Sequence, residues 1–153
     1  MMGHRRFMEM ALEEARRAAE RGEVPVGAVL VQGDRVIGRG HNLRETLGDP
    51  LAHAEILALR EGARELGGWR LEGSTLYVTL EPCPMCAGAL VLARVERLVF
   101  GARDLVMGAA GSRYNLVQDE NLPHRVEVLE GMLEEECREL LRSFFRNRRG
   151  AGG

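Results

Sequence analysis

Cys83 and Cys86 stand three residues apart in the run Glu81-Pro82-Cys83-Pro84-Met85-Cys86, with one proline before the pair and one inside it. At the start of a helix, residues i and i+3 share a face, so two thiolates at this spacing can grip one metal ion. A third donor has to come from elsewhere. Of the four histidines, His53 in the run His53-Ala54-Glu55 is the best placed; His4 is expected in a frayed end, and His41 and His124 in loops. One His with two Cys is the ligand set of a catalytic zinc that keeps its fourth position for water. Such a zinc lowers the pKa of that water from about 15.7 to about 7. Glu55 lies two residues beyond His53. That is roughly 200° around an ideal helix, which suits a carboxylate that moves protons better than one that co-ligates.

The same residues have plainer uses. A lone Cys-x-x-Cys also serves as a redox pair, and a closed structural zinc needs a fourth protein ligand. Cys137 is the spare cysteine, and its place on the apolar face of the last helix favours packing. Three cysteines, an odd number in a reducing compartment, argue against a disulfide framework. By itself, Glu55 also reads as a solvated helix residue.

The elements that must position these groups follow from periodicity. Residues 4–21 repeat apolar side chains at helical spacing and end at Gly22. A strand is expected over 24–31, a turn at Gly33-Asp34 and a second strand over 35–38, making a hairpin. A polar loop follows, and Asp49-Pro50 is expected to open the next helix as N-cap and first helical residue, with His53 and Glu55 inside it. A third strand, 75–80, feeds into the cysteine run, where Pro84 opens a helix to about 94. Strands at 95–100 and 125–129 and a last helix from about 133 complete the chain, with a glycine-rich loop between the two strands. This order predicts one three-layer α-β-α domain over 1–153 around a mixed five-stranded sheet, its tail at 150–153 disordered.

The totals set limits. A chain of 153 residues with 45% hydrophobic and 29% charged residues has the make-up of a soluble globular domain. No apolar run approaches the ~20 residues of a membrane helix, and no secretory signal is visible, so the cytoplasm is the expected compartment. The net charge of −2 supplies no overall pull toward nucleic acid. All 21 basic residues are arginine, which a biased genome or a hot habitat explains better than any function.

His53-Ala54-Glu55, followed 28 residues after Glu55 by Cys83-x-x-Cys86 with Pro82 before it, resembles the zinc-dependent cytidine and nucleotide deaminase superfamily. The match is one of recognition, since this is the established signature of zinc deaminases acting on nucleobases. Within it, nearly the whole chain is similar to the bacterial tRNA adenosine deaminases, through Glu23-Val24-Pro25-Val26-Gly27-Ala28-Val29, Thr79-Leu80-Glu81-Pro82-Cys83, Phe100-Gly101-Ala102-Arg103-Asp104, Gly108-Ala109-Ala110-Gly111-Ser112 and Phe144-Phe145-Arg146. The resemblance implies a cytidine-deaminase-like fold and one Zn2+ per subunit on His53, Cys83 and Cys86, with Glu55 as proton carrier. It also implies a homodimer, an anticodon stem-loop of tRNA as partner, and Asn42 orienting the target nucleoside. Arg103, Arg146, Arg148 and Arg149 are candidate phosphate contacts, and Asp104 and Phe145 candidate RNA contacts. Asp104 also reads as a loop cap, and Phe144-Phe145 as core or dimer packing. The zinc motif alone does not separate this activity from deamination of a free base or nucleoside, such as guanine or cytidine. A zinc-stabilised binding module without catalysis is the reading from another class, and an intact Glu55 speaks against it.

Overall fold

The computed structural model describes residues 3–152. Helix α1 (Gly3–Glu20) leads into an antiparallel hairpin, β1 (Gly27–Gln32) and β2 (Arg35–His41), and then a one-turn helix, α2 (Arg44–Leu47). Helix α3 (Ala54–Leu66), strand β3 (Ser74–Leu80), helix α4 (Pro84–Leu92) and strand β4 (Arg97–Ala102) follow. After a long loop, β5 (Glu127–Glu130) and α5 (Glu134–Gly152) close the chain. Of the tail expected to be disordered, the backbone of 150–152 continues α5 and residue 153 lies outside the described residues.

The sheet runs β2-β1-β3-β4-β5, antiparallel on the β1 side of β3 and parallel on the β4 side, the mixed five-stranded sheet that the pattern predicts. Alternation along the strands builds two cores. Ala28, Leu30, Leu76, Val78, Leu98 and Phe100 pack beneath α3 and α4, while Val29, Val31, Tyr77 and Val99 pack beneath α1 and α5. Central β3 is buried on both faces along almost its full length, so it reads as a continuous apolar run.

Two glycines fix the height of α3 over the sheet. A Cβ on Gly38 would lie 2.1 Å from the Ala58 carbonyl oxygen, and one on Gly40 would lie 2.5 Å from that of Ala54. The helix therefore rests backbone to backbone on β2, and its first turn is set by the sheet.

Three expectations change. Asp49 and Pro50 do not open α3: the Asp49 carboxylate caps its own turn, accepting from the Leu51 amide at 2.9 Å, while Leu43 donates to the Ala52 carbonyl oxygen. This turn holds the chain until His53, and the helix begins at Ala54. His4 is no frayed end, because it is buried in α1 with Nδ1 2.6 Å from the Tyr77 hydroxyl. His41 ends β2 instead of lying in a loop, its Nδ1 2.9 Å from Glu14. Among the described residues, no helix is long and apolar enough to cross a membrane.

Candidate active site

The site lies at the carboxyl end of β3, where antiparallel pairing gives way to parallel pairing, the usual place for a ligand in an open α/β sheet. Two helices begin there. His53 is the N-cap of α3, with φ −76° and ψ 153°, and Cys83 is the N-cap of α4, with φ −73° and ψ 173° and Pro84 just inside the helix. Neither side chain caps its own helix, so both are free to point at a shared centre. Cys86 sits one turn into α4, fully buried.

His53 Nδ1 lies 3.6 Å from Cys83 Sγ and 3.5 Å from Cys86 Sγ. Tetrahedral zinc with ordinary Zn–N and Zn–S bonds would hold its nitrogen and sulfur ligands about 3.6 Å apart. The three donor atoms, all within 4.8 Å of one another, therefore fit the ion that their chemistry suggests. Hydrogen bonding from Cys86, and then from His53, brings the Cys83 thiol down to about 4, while the hydrogen bond to Cys83 and burial push Cys86 up. A lowered Cys83 suits a thiolate ligand at the helix start, where the dipole also favours the charged form.

Glu55, the second residue of α3, is 4% exposed and faces the same cavity. Burial raises its carboxyl to about 7, against the opposing pull of its own amide and of His53. A carboxyl poised near neutrality can take up and release a proton within one turnover.

The cavity has a volume of about 330 Å³. Asn42 lines it, with Nδ2 donating to the Val24 carbonyl oxygen at 3.3 Å and Oδ1 accepting from the Arg44 amide at 3.2 Å. Asp104 lines it too, and its Oδ1 accepts from the amides of Val106 and Met107, both at 3.0 Å, so of its two readings the loop cap is present. Arg148 reaches the rim from α5 and donates to the Gly22 carbonyl oxygen at 3.4 Å.

Arg103, Phe145 and Arg146 are not brought to this cavity. They line a separate groove between the end of β4 and α5, together with Arg138, Leu141 and Arg142. There Arg103 makes two hydrogen bonds to Glu130 at 2.9 and 2.7 Å, and Arg146 donates to Glu139 at 2.7 Å. Phe145 is 44% exposed and meets Phe144 edge-on at 5.4 Å. The Arg149 side chain lies outside the described residues.

Two residues escaped the sequence reading as site components. Glu23 and Glu81 are each 1% exposed and line the cavity from opposite loops. Their hydrogen-bond partners lie more than twenty residues away in sequence, so no local pattern marks either carboxylate.

Residues 1–102 match the family model for the zinc-binding region of cytidine and deoxycytidylate deaminases, and the chain belongs to that family. It is 57% identical to the tRNA-specific adenosine deaminase of Bacillus subtilis over 94% of this chain and 89% of that protein. A structure solved in a study of A-to-I editing by tRNA:A34 deaminases at the wobble position superposes with a TM-score of 0.86 at 48% identity, covering 89% of this chain and 99% of that one. A guanine deaminase from Nitrosomonas europaea superposes with a TM-score of 0.79 at 26% identity, over 92% of this chain and 83% of that one.

Proposed function

We propose that this chain hydrolyses adenosine to inosine, with loss of ammonia, at the wobble position of a tRNA anticodon. The observation that carries the chemistry is the convergence of His53, Cys83 and Cys86 beside a buried Glu55 poised near neutrality. The substrate class rests on the relatives, whose identity of 57% and 48% to this chain exceeds the 26% of the guanine deaminase.

His53, Cys83 and Cys86 would hold Zn2+, which when bound acts as a Lewis acid that makes a water acidic near neutral pH. Glu55 accepts the proton of the attacking water and delivers it to N1 of the adenine ring as C6 gains oxygen. It then takes the proton of the new C6 hydroxyl and passes it to the departing amine, so that the C6–N bond breaks, ammonia leaves and the C6 carbonyl of inosine remains. Asn42, held by Val24 and the Arg44 amide, orients the nucleoside at the cavity mouth. The target base has to leave its stack to reach C6, which costs least in a single-stranded loop. Arg148 at the cavity rim, and Arg103 and Arg146 in the neighbouring groove, meet phosphates of the same strand, with Asp104 at the cavity wall and Phe145 in the groove as further contacts. A homodimer in the cytoplasm belongs to the same reading.

The test is the zinc-loaded protein incubated with an arginine-tRNA anticodon stem-loop and, in parallel, with free adenosine, cytidine and guanine. Inosine is expected only in the RNA. Turnover of a free base with the RNA left intact would move the assignment to the free-base deaminases, and turnover of nothing would favour a zinc-stabilised binding module.

A further inference from the structure

Glu81 is the first residue after β3, two residues ahead of Cys83, and among the described residues it takes part in no ion pair. A buried carboxylate without a counter-charge is costly unless its oxygens are fully hydrogen-bonded. Here they are, and all the donors come from one loop. Oε1 accepts from the Asp104 amide at 3.1 Å and the Ser112 hydroxyl at 2.5 Å. Oε2 accepts from the amides of Ala110 and Ser112, both at 3.0 Å. Four donors on an acceptor-only group leave no site for an amide NH2.

The loop is shaped to close over this carboxylate. A Cβ on Gly108 would lie 2.5 Å from Glu81 Cδ, 2.6 Å from Oε1 and 2.4 Å from the Asp104 carbonyl oxygen, so only glycine lets the chain pass. The same loop is tied to the metal-bearing segment by the Ala109 amide, which donates to the Pro82 carbonyl oxygen at 2.8 Å. It supplies Asp104 and Met107 to the cavity wall.

We infer that Glu81 is a positioning residue: its carboxylate is the template on which the 104–112 loop folds, and through that loop it sets how tightly the substrate is held, leaving the proton transfers to Glu55. The inference rests on the deaminase reading for its kinetic part. Its structural part stands apart from any substrate.

Two measurements on the zinc-loaded full chain separate the two parts. Amide hydrogen exchange is followed in the wild type, Glu81→Gln and Gly108→Ala, and KM and kcat are measured with whichever substrate the assay above finds active. In Glu81→Gln the Ala110 and Ser112 amides should exchange at least ~10-fold faster while β3 and β4 keep their protection. KM should rise by ~10-fold or more with kcat within ~3-fold and zinc content unchanged, the pattern of lost binding that is not specific to the transition state. Gly108→Ala, which leaves the carboxylate intact, should reproduce both changes, and the double variant should add little to either. Unchanged exchange in Glu81→Gln overturns the inference, as does faster exchange with unchanged KM. A fall in kcat with the loop still protected overturns it too, by assigning Glu81 to the chemistry. Loss of zinc in Glu81→Gln would make it a support of the metal ligands instead. If no substrate is found, the deaminase reading falls, and the exchange data still decide whether Glu81 holds the loop.

Discussion

The floor of the cavity and the arginine groove beside α5 are built on opposite principles. On the floor, His53, Glu55, Cys83 and Cys86 occupy the first turns of two helices that rest on a buried sheet. Backbone conformation aims these side chains, and burial moves the Glu55 carboxyl toward neutrality. In the groove, arginines from the end of β4 and from α5 hold nearby glutamates: Arg103 with Glu130, Arg138 with Glu134, Arg146 with Glu139. Exposed pairs of this kind contribute little net stability, so a competing anion can displace the carboxylate at little cost. Chemistry needs fixed geometry and low dielectric, whereas binding a flexible polyanion needs charges that can change partners.

The comparison breaks most sharply at the metal ligands. Cys86→Ser should lower bound zinc from about one per chain to under about a tenth, with activity falling alongside, measured by metal analysis of purified protein. Retained zinc would remove Cys86 from the ligand set. Next in size is Glu55→Ala, which should keep its zinc yet lose ~10²–10⁴-fold in kcat; zinc leaving together with activity would make Glu55 a ligand. A gentler effect is expected from Arg142→Ala combined with Arg146→Ala. It should weaken stem-loop binding and flatten the slope of log K against log salt by ~0.7 for each single-strand phosphate that is no longer neutralised, with kcat unchanged. An unaltered slope would reduce the groove to ordinary solvated surface.

The smallest effect concerns Glu23, which does on the other rim what Glu81 does on its own. Its carboxylate accepts from the Glu45 amide at 3.2 Å and from the amide and hydroxyl of Thr46 at 2.6 and 2.7 Å. Burial pushes this carboxyl up, but the bonds from Thr46 and Glu45 outweigh it and hold it below the ordinary carboxylate range. A folded-state pKa below the unfolded one stabilises above the unfolded value, about 4.3, and that stability is lost as pH falls through the folded pKa. Thermal midpoints of the wild type and Glu23→Gln should therefore differ most above about pH 4.3 and converge in more acid solution. A constant gap across that range would mean that the Glu23 charge contributes nothing.

Much of the candidate metal site is visible in one dimension, because a Cys-x-x-Cys at a proline-started helix and a His-x-Glu are local patterns with local geometry. The start of α3 is not. Asp49-Pro50 is a sound opening signal, but residues 49–52 spend their hydrogen bonds on a turn tied to Leu43, and the helix waits for His53. Arg103 and Asp104 are neighbours in sequence, yet one lines the groove and the other the cavity. Successive residues leaving a strand face opposite ways, so charge and proximity in sequence do not say which of them meets the substrate. Glu81 was silent for a related reason: its partners lie 23 to 31 residues ahead, and nothing local marks a carboxylate that serves backbone amides.

By itself, then, the sequence determined the donor set of two thiolates and an imidazole, the carboxylate beside them and the mixed sheet that carries them, since residue type and short-range periodicity are enough for each. Tertiary structure alone decided that the two helix starts meet with nitrogen and sulfur 3.5 to 3.6 Å apart, that Glu55 is dry enough to titrate near 7, and that a buried Glu81 draws the 104–112 loop into a cavity wall. These depend on distances between segments remote in the chain, and only packing of both helix layers on the sheet brings those segments together.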